Sequence, residues 1–143
     1  MKRELLFLPL IGLFFLRAGC IAVDRAGGMR ALRELRKAAV RHWRHGRSLL
    51  IFPQGTRVEP GISHGYEVGV FALYDATGLP VVPVALNSGH VWPRNSWTKR
   101  PGVVDVQFLP PIAPGLSRKA FMAELEKQIE AGMAAIDSPY KQQ

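Results

Sequence analysis

An α/β fold with a mostly parallel βαβ sheet flanked by helices, behind an apolar N-terminal helix, follows from three observations. Short apolar runs alternate with segments of helical periodicity. Glycine or proline closes nearly every segment. Polar residues collect just after the apolar runs, where a parallel sheet places its ligand-binding loops. The 143 residues fit one domain, and a 48% hydrophobic content is enough for a core and excludes general disorder.

Residues 1–17 are expected to form the apolar helix. Met1-Lys2-Arg3, the apolar run from Leu5 to Leu16 and the Ala18-Gly19-Cys20 triplet imitate a lipoprotein signal peptide. Arg17, set between the run and the cysteine, argues against that reading. The run is interrupted by Pro9 and Gly12 and falls short of the ~20 residues that cross a bilayer. A core helix or one lying in a membrane interface is expected instead. Cys20 is the sole cysteine, so there is no disulfide framework and no thiol metal cluster, which fits a reducing compartment.

Residues 18–135 are read as the α/β core and 136–143 as a tail. Residues 20–23 form the first expected strand, with Asp24-Arg25 at its carboxyl end. From 29 to 45 the residues Met29, Leu32, Leu35, Ala39 and Trp43 recur at helical spacing, and Arg30, Arg33, Lys37, Arg41 and Arg44 make a second, basic stripe. Gly46 ends this helix. Residues 48–52 form the second strand, parallel to the first through a right-handed crossover. A loop over 53–66 leads to a helix at 68–77 that Gly78 closes, and 80–86 is the third strand. A tryptophan-containing loop, 87–100, precedes a fourth strand at 103–108, which Pro110, Pro111 and Pro114 terminate. Ser117 caps a last helix, 118–135.

The stretch Phe52-Pro53-Gln54-Gly55-Thr56-Arg57 brings a glycine, a hydroxyl and a guanidinium together at a strand end. Gly55 lets a ligand approach the main chain, and Thr56 and Arg57 offer a hydroxyl and a planar fork of donors to an anion. The same residues also suit an ordinary polar turn. Charge favours the anion site. Residues 1–57 hold 12 Lys/Arg against 3 Asp/Glu, and residues 58–143 hold 7 against 8, so an anionic partner faces the first half. Arg25 and Arg57 are placed to hold a phosphate between them.

The segments Gly19-x-Ile21-x-x-Asp24-Arg25, Phe52-Pro53-x-Gly55-Thr56-Arg57 and Val82-Pro83-Val84-Ala85 resemble three successive blocks of the glycerol-phosphate acyltransferases. The likeness is nearest to the bacterial 1-acyl-glycerol-3-phosphate (lysophosphatidate) acyltransferases, and it runs from about Lys2 to Glu130. It implies transfer of a fatty acyl group from acyl-CoA or acyl-ACP to lysophosphatidate, giving phosphatidate. Neither a metal nor a cofactor beyond the acyl donor is expected. By the resemblance Arg25, Gly55, Thr56 and Arg57 bind the acceptor phosphate, and Asp24, Gln54 and Pro83 support the site. An anionic membrane surface is the expected partner, with the chain peripheral or interfacial at the cytoplasmic face of a bacterial inner membrane. Nucleic acid is not expected, because the aromatics are not interleaved with basic residues.

Two departures from the family pattern stand out. Gln54 replaces the usual glutamate, removing a negative charge but keeping hydrogen-bonding capacity. More consequentially, the family's His-x-x-x-x-Asp block is absent, and block order places it upstream of Met1. The residues five positions after His42, His45, His64 and His90 are Arg47, Leu50, Gly69 and Asn95. No catalytic base is therefore identified. The expectation is a family member that begins after its catalytic block, with an incomplete family fold and doubtful activity on its own. A non-catalytic phosphate- or anionic-lipid-binding domain is the alternative. His64 is the one sensible substitute base, although it also reads as an ordinary exposed loop histidine; His42 and His45 are expected on the helix surface beside Trp43, and His90 is expected to be structural.

Overall fold

The computed structural model describes residues 10–22, 27–56, 58–59, 65–94 and 96–137. Its elements run α1 (Ile11–Arg17), α2 (Gly28–Arg44), α3 (Gly69–Thr77), β1 (Val84–Leu86), β2 (Val106–Phe108) and α4 (Arg118–Asp137). They fall into two compact units, Met1–Leu50 and Ile51–Gln143.

The first unit contains α1 and α2. α1 covers the last seven residues of the expected apolar helix, whose first nine lie outside the described residues, and Leu13, Phe14 and Leu16 in it are exposed. α2 spans nearly the residues its periodicity predicts. Ala39 is fully buried, and all five members of the basic stripe, Arg30, Arg33, Lys37, Arg41 and Arg44, face solvent. Arg41, His42 and Arg44 crowd the last turn, where cations complement the helix dipole. Past the helix end, the Gly46 and Arg47 amides donate to the Trp43 and His42 carbonyls.

The second unit holds a core of Val70, Tyr74, Ile112, Phe121, Leu125 and Ile129. These positions come from α3, from one face of α4, and from the segment after β2. Tyr74 stacks on Phe121 with ring centroids 4.1 Å apart and planes 17° from parallel. Its hydroxyl donates to the Ala113 carbonyl at 2.7 Å and accepts from the Leu116 amide at 2.8 Å, so burial leaves no polar atom unpaired. α3 ends as expected at Gly78, whose left-handed conformation returns its amide to the Tyr74 carbonyl.

β1 and β2 pair antiparallel in the register Val84↔Phe108, Ala85↔Gln107 and Leu86↔Val106, and an isolated bridge joins Val81 to Ile112. α4 lies across this ribbon. Gly132, mid-helix and buried, allows the approach: a β-carbon there would stand 2.9 Å from the Ala85 β-carbon and 3.1 Å from Leu109.

The mostly parallel sheet is the main expectation that the described residues do not meet. Residues 20–22 and 48–52 carry no strand, and Leu50 and Phe52 are 82% and 69% exposed, unlike positions in a central parallel strand. The third and fourth expected strands do form, shortened, but they pair with each other in opposite directions. The physical reason lies in the connection. Asn87 and Asp105 clasp the base of the intervening loop through three hydrogen bonds, Asn87 Nδ2 to Asp105 Oδ2 at 3.0 Å, Asp105 N to Asn87 Oδ1 at 2.7 Å and Asn87 N to Asp105 O at 3.4 Å, which turns the chain back on itself. Asn87, 1% exposed, is thereby committed to structure.

Candidate acceptor-phosphate site

The turn at 52–55 is built by local chemistry. Pro53 presets the backbone for the second position of a β-turn, and the Gly55 amide donates to the Phe52 carbonyl at 3.1 Å. Gly55 then takes φ +66°, a left-handed conformation that side chains disfavour. A β-carbon at this position would also meet Glu67 Cγ at 3.0 Å and Oε1 at 3.3 Å. The dihedral thus favours glycine, and any side chain here would also have to shift Glu67. Thr56 is exposed at the end of the turn and Gln54 is half-buried within it.

The loop that starts here is fastened at both ends. Pro53's carbonyl accepts from the Glu67 amide at 2.8 Å, closing the neck. Tyr66 packs against the core and donates from its hydroxyl to Glu130 Oε1 at 3.1 Å, fixing the loop to α4. Partial burial first, then the nearby Glu130 and Glu126 carboxylates, push the Tyr66 hydroxyl well above the usual tyrosine range, so it stays a donor. Beside this end of the loop an open cavity of about 440 Å³ is lined by Tyr66, Val68, Met122, Arg118 and Lys119, two cations next to an apolar wall.

Of the residues expected at the site, Gly55, Thr56 and Gln54 share this turn. Pro83 is buried immediately before β1, and its carbonyl accepts from the Leu109 amide at 2.9 Å, a supporting position. Asp24, Arg25 and Arg57 lie outside the described residues, as does His64. Gly19, of the first block, has φ +71° and backs onto the Arg47 side chain. His90 pairs with Asp137 at 3.0 Å, the structural role expected of it. Sequence reasoning missed Tyr66, Glu67 and Glu130. Their pairings span up to 64 positions, and no local pattern announces them. Among the described residues no group of three His, Cys, Asp or Glu side chains could hold a metal ion, and no helix is long and apolar enough to cross a membrane.

Comparison with known proteins fixes the class. The family model described as Acyltransferase matches residues 1–87, and the chain belongs to this family. Relatives named 1-acyl-sn-glycerol-3-phosphate acyltransferase include one from Pseudomonas aeruginosa, 39% identical over 132 residues that cover 92% of this chain and 51% of that protein. Another, from Cocos nucifera, is 31% identical over 78% of this chain and 36% of its own length. The crystal structure of the 1-acyl-sn-glycerophosphate (LPA) acyltransferase PlsC from Thermotoga maritima is similar with a TM-score of 0.66 and 28% identity, over 76% of this chain and 47% of that one. The chain therefore spans about half or less of the length of these relatives.

Proposed function

We propose that residues 1–143 work as one acyltransferase-like domain that holds lysophosphatidate for acylation by acyl-CoA or acyl-ACP, yielding phosphatidate and a free thiol. The observation that carries this reading is the 39% identity to a bacterial relative of that name, running through the glycine turn at 52–55. Arg25 and Arg57 clamp the acceptor phosphate, Gly55 keeps the main chain accessible, and Thr56 adds a hydroxyl donor. Asp24, Gln54 and Pro83 keep the surrounding segments in place. The cavity at Tyr66 and Met122, with Arg118 and Lys119 at its edge, suits an amphiphilic anion such as the acyl donor.

In the reaction, the acceptor hydroxyl attacks the thioester carbonyl, the hydroxyl proton leaves to a base, and the carbon–sulfur bond breaks. No His-x-x-x-x-Asp pair within these residues supplies that base. The exposed basic stripe of α2 and the exposed apolar residues of α1 face an anionic membrane, at the cytoplasmic surface of a bacterial inner membrane.

The test measures thiol release and phosphatidate formation from acyl-CoA and lysophosphatidate, together with lysophosphatidate binding. Turnover that falls roughly a hundredfold or more in Arg57→Ala supports the enzyme, the scale expected when one charge-stabilising group is removed. Arg57-dependent binding of lysophosphatidate with no product favours instead a phosphate-binding domain without catalysis. Binding indifferent to Arg57 removes the cradle from either account.

A further inference from the structure

We propose that the loop between β1 and β2 is a docking surface for the headgroup region of an anionic lipid bilayer, with Trp97 as its inserting residue. Trp97 is 102% exposed, and Trp92 is about half exposed. Such a display of indole in water disfavours the free protein and is the pattern of side chains that settle at a membrane interface, where the ring is sheltered and its N–H stays hydrated. The loop holds Trp97 in a built frame. Trp92 N donates to the Ser88 carbonyl at 2.9 Å, Trp92 Nε1 to the Ser96 carbonyl at 3.1 Å, and Arg100 N to the Val91 carbonyl at 2.8 Å. Lys99 Nζ lies 4.6 Å from the Trp92 ring centroid, and His90 joins the loop to the end of α4 through Asp137.

The charge around the tryptophans selects the partner. From residue 87 to 104 the sequence has Arg94, Lys99 and Arg100 and no carboxylate. All three cations are exposed, and the next acid, Asp105, accepts from Asn87 at the base of the loop. The apolar surface continues through the exposed Val103, Val106 and Phe108. An exposed indole in a loop that carries three exposed cations and no carboxylate from residue 87 to 104 complements lipid phosphates at the depth where indole partitions. The acyltransferase reading supplies a motive, since its acceptor resides in a bilayer, but the surface is tested without that substrate.

The probe is a vesicle of phosphatidylglycerol and phosphatidylcholine with brominated acyl chains and no lysophosphatidate. A Trp43→Phe, Trp92→Phe variant of the full chain leaves Trp97 as the only tryptophan, excited selectively at wavelengths where tyrosine does not absorb. Its emission is expected to shift to the blue and to be quenched by the bromines on binding. In the otherwise unchanged chain, Trp97→Ala is expected to weaken vesicle binding about tenfold, from the apolar area withdrawn. Lys99→Gln and Arg100→Gln should each weaken binding about fivefold on anionic vesicles and leave binding to neutral ones unaltered. Trp97 emission that stays unshifted and unquenched on vesicle-bound protein overturns the proposal and assigns the loop to a protein partner. Failure of the chain to bind the vesicles at all overturns it equally, whatever the outcome of the acyl-transfer assay.

Discussion

Tyr66 couples the candidate site to α4 through its hydroxyl, beside the packing of its ring on the core. Its hydrogen bond to Glu130 Oε1 requires a protonated phenol, and partial burial with two neighbouring carboxylates keeps it protonated. The folded-state pKa lies above the unfolded value near 10, so this contribution to stability is complete below pH ~10 and is lost as pH rises beyond it. Tyr66→Phe should therefore cost about 1 kcal/mol at pH 7, read by urea denaturation, and should flatten the alkaline loss of stability above pH 10. An unaltered alkaline limb in the variant would show that other groups govern it. None of this was legible in the sequence, where Tyr66 is one residue of a polar loop. Gly55 was legible, because a glycine three residues after a phenylalanine and two after a proline fits few turns.

At the scale of elements, the helices were readable and the strand pairing was not. α2, α3 and α4 begin and end within two residues of their expected limits, because helical periodicity and the glycines at 46 and 78 are local signals. β1 and β2 were readable as apolar runs, yet their antiparallel pairing depends on the Asn87–Asp105 clasp, a contact 18 residues apart in the chain. α4 carries a cost that sequence alone would count as a defect, an interior glycine worth about 1 kcal/mol of helix propensity. Gly132 is there because Ala85 and Leu109 leave no room for a side chain. Gly132→Val is expected to destabilise the protein by at least ~2 kcal/mol in thermal or urea unfolding, through overpacking that outweighs the gain in propensity. A neutral or stabilising effect would mean that α4 and β1 separate without penalty.

For the whole molecule, charge is the property that sequence conveys best. The chain carries +8, with 12 of its 19 Lys/Arg in residues 1–57, and the basic stripe on α2 is solvent-facing as its spacing required. Binding to anionic vesicles should accordingly weaken at least about tenfold between 50 and 500 mM salt, as the Debye length contracts from ~14 to ~4 Å. Affinity that holds constant over this range would assign the attachment to apolar insertion alone. Assembly of the site across distant segments is the part that composition and spacing convey least: they nominate Arg25 and Arg57 as partners but carry no distance between them.

The closed neck between Pro53 and Glu67 makes the turn at Gly55 insensitive to what happens further along its own loop. With the ends tied, doubling the intervening length costs only about 0.6 kcal/mol of closure entropy. Insertions or deletions between residues 58 and 65 are therefore expected to cost little stability and to leave the hydrogen bond that closes the Phe52–Gly55 turn in place.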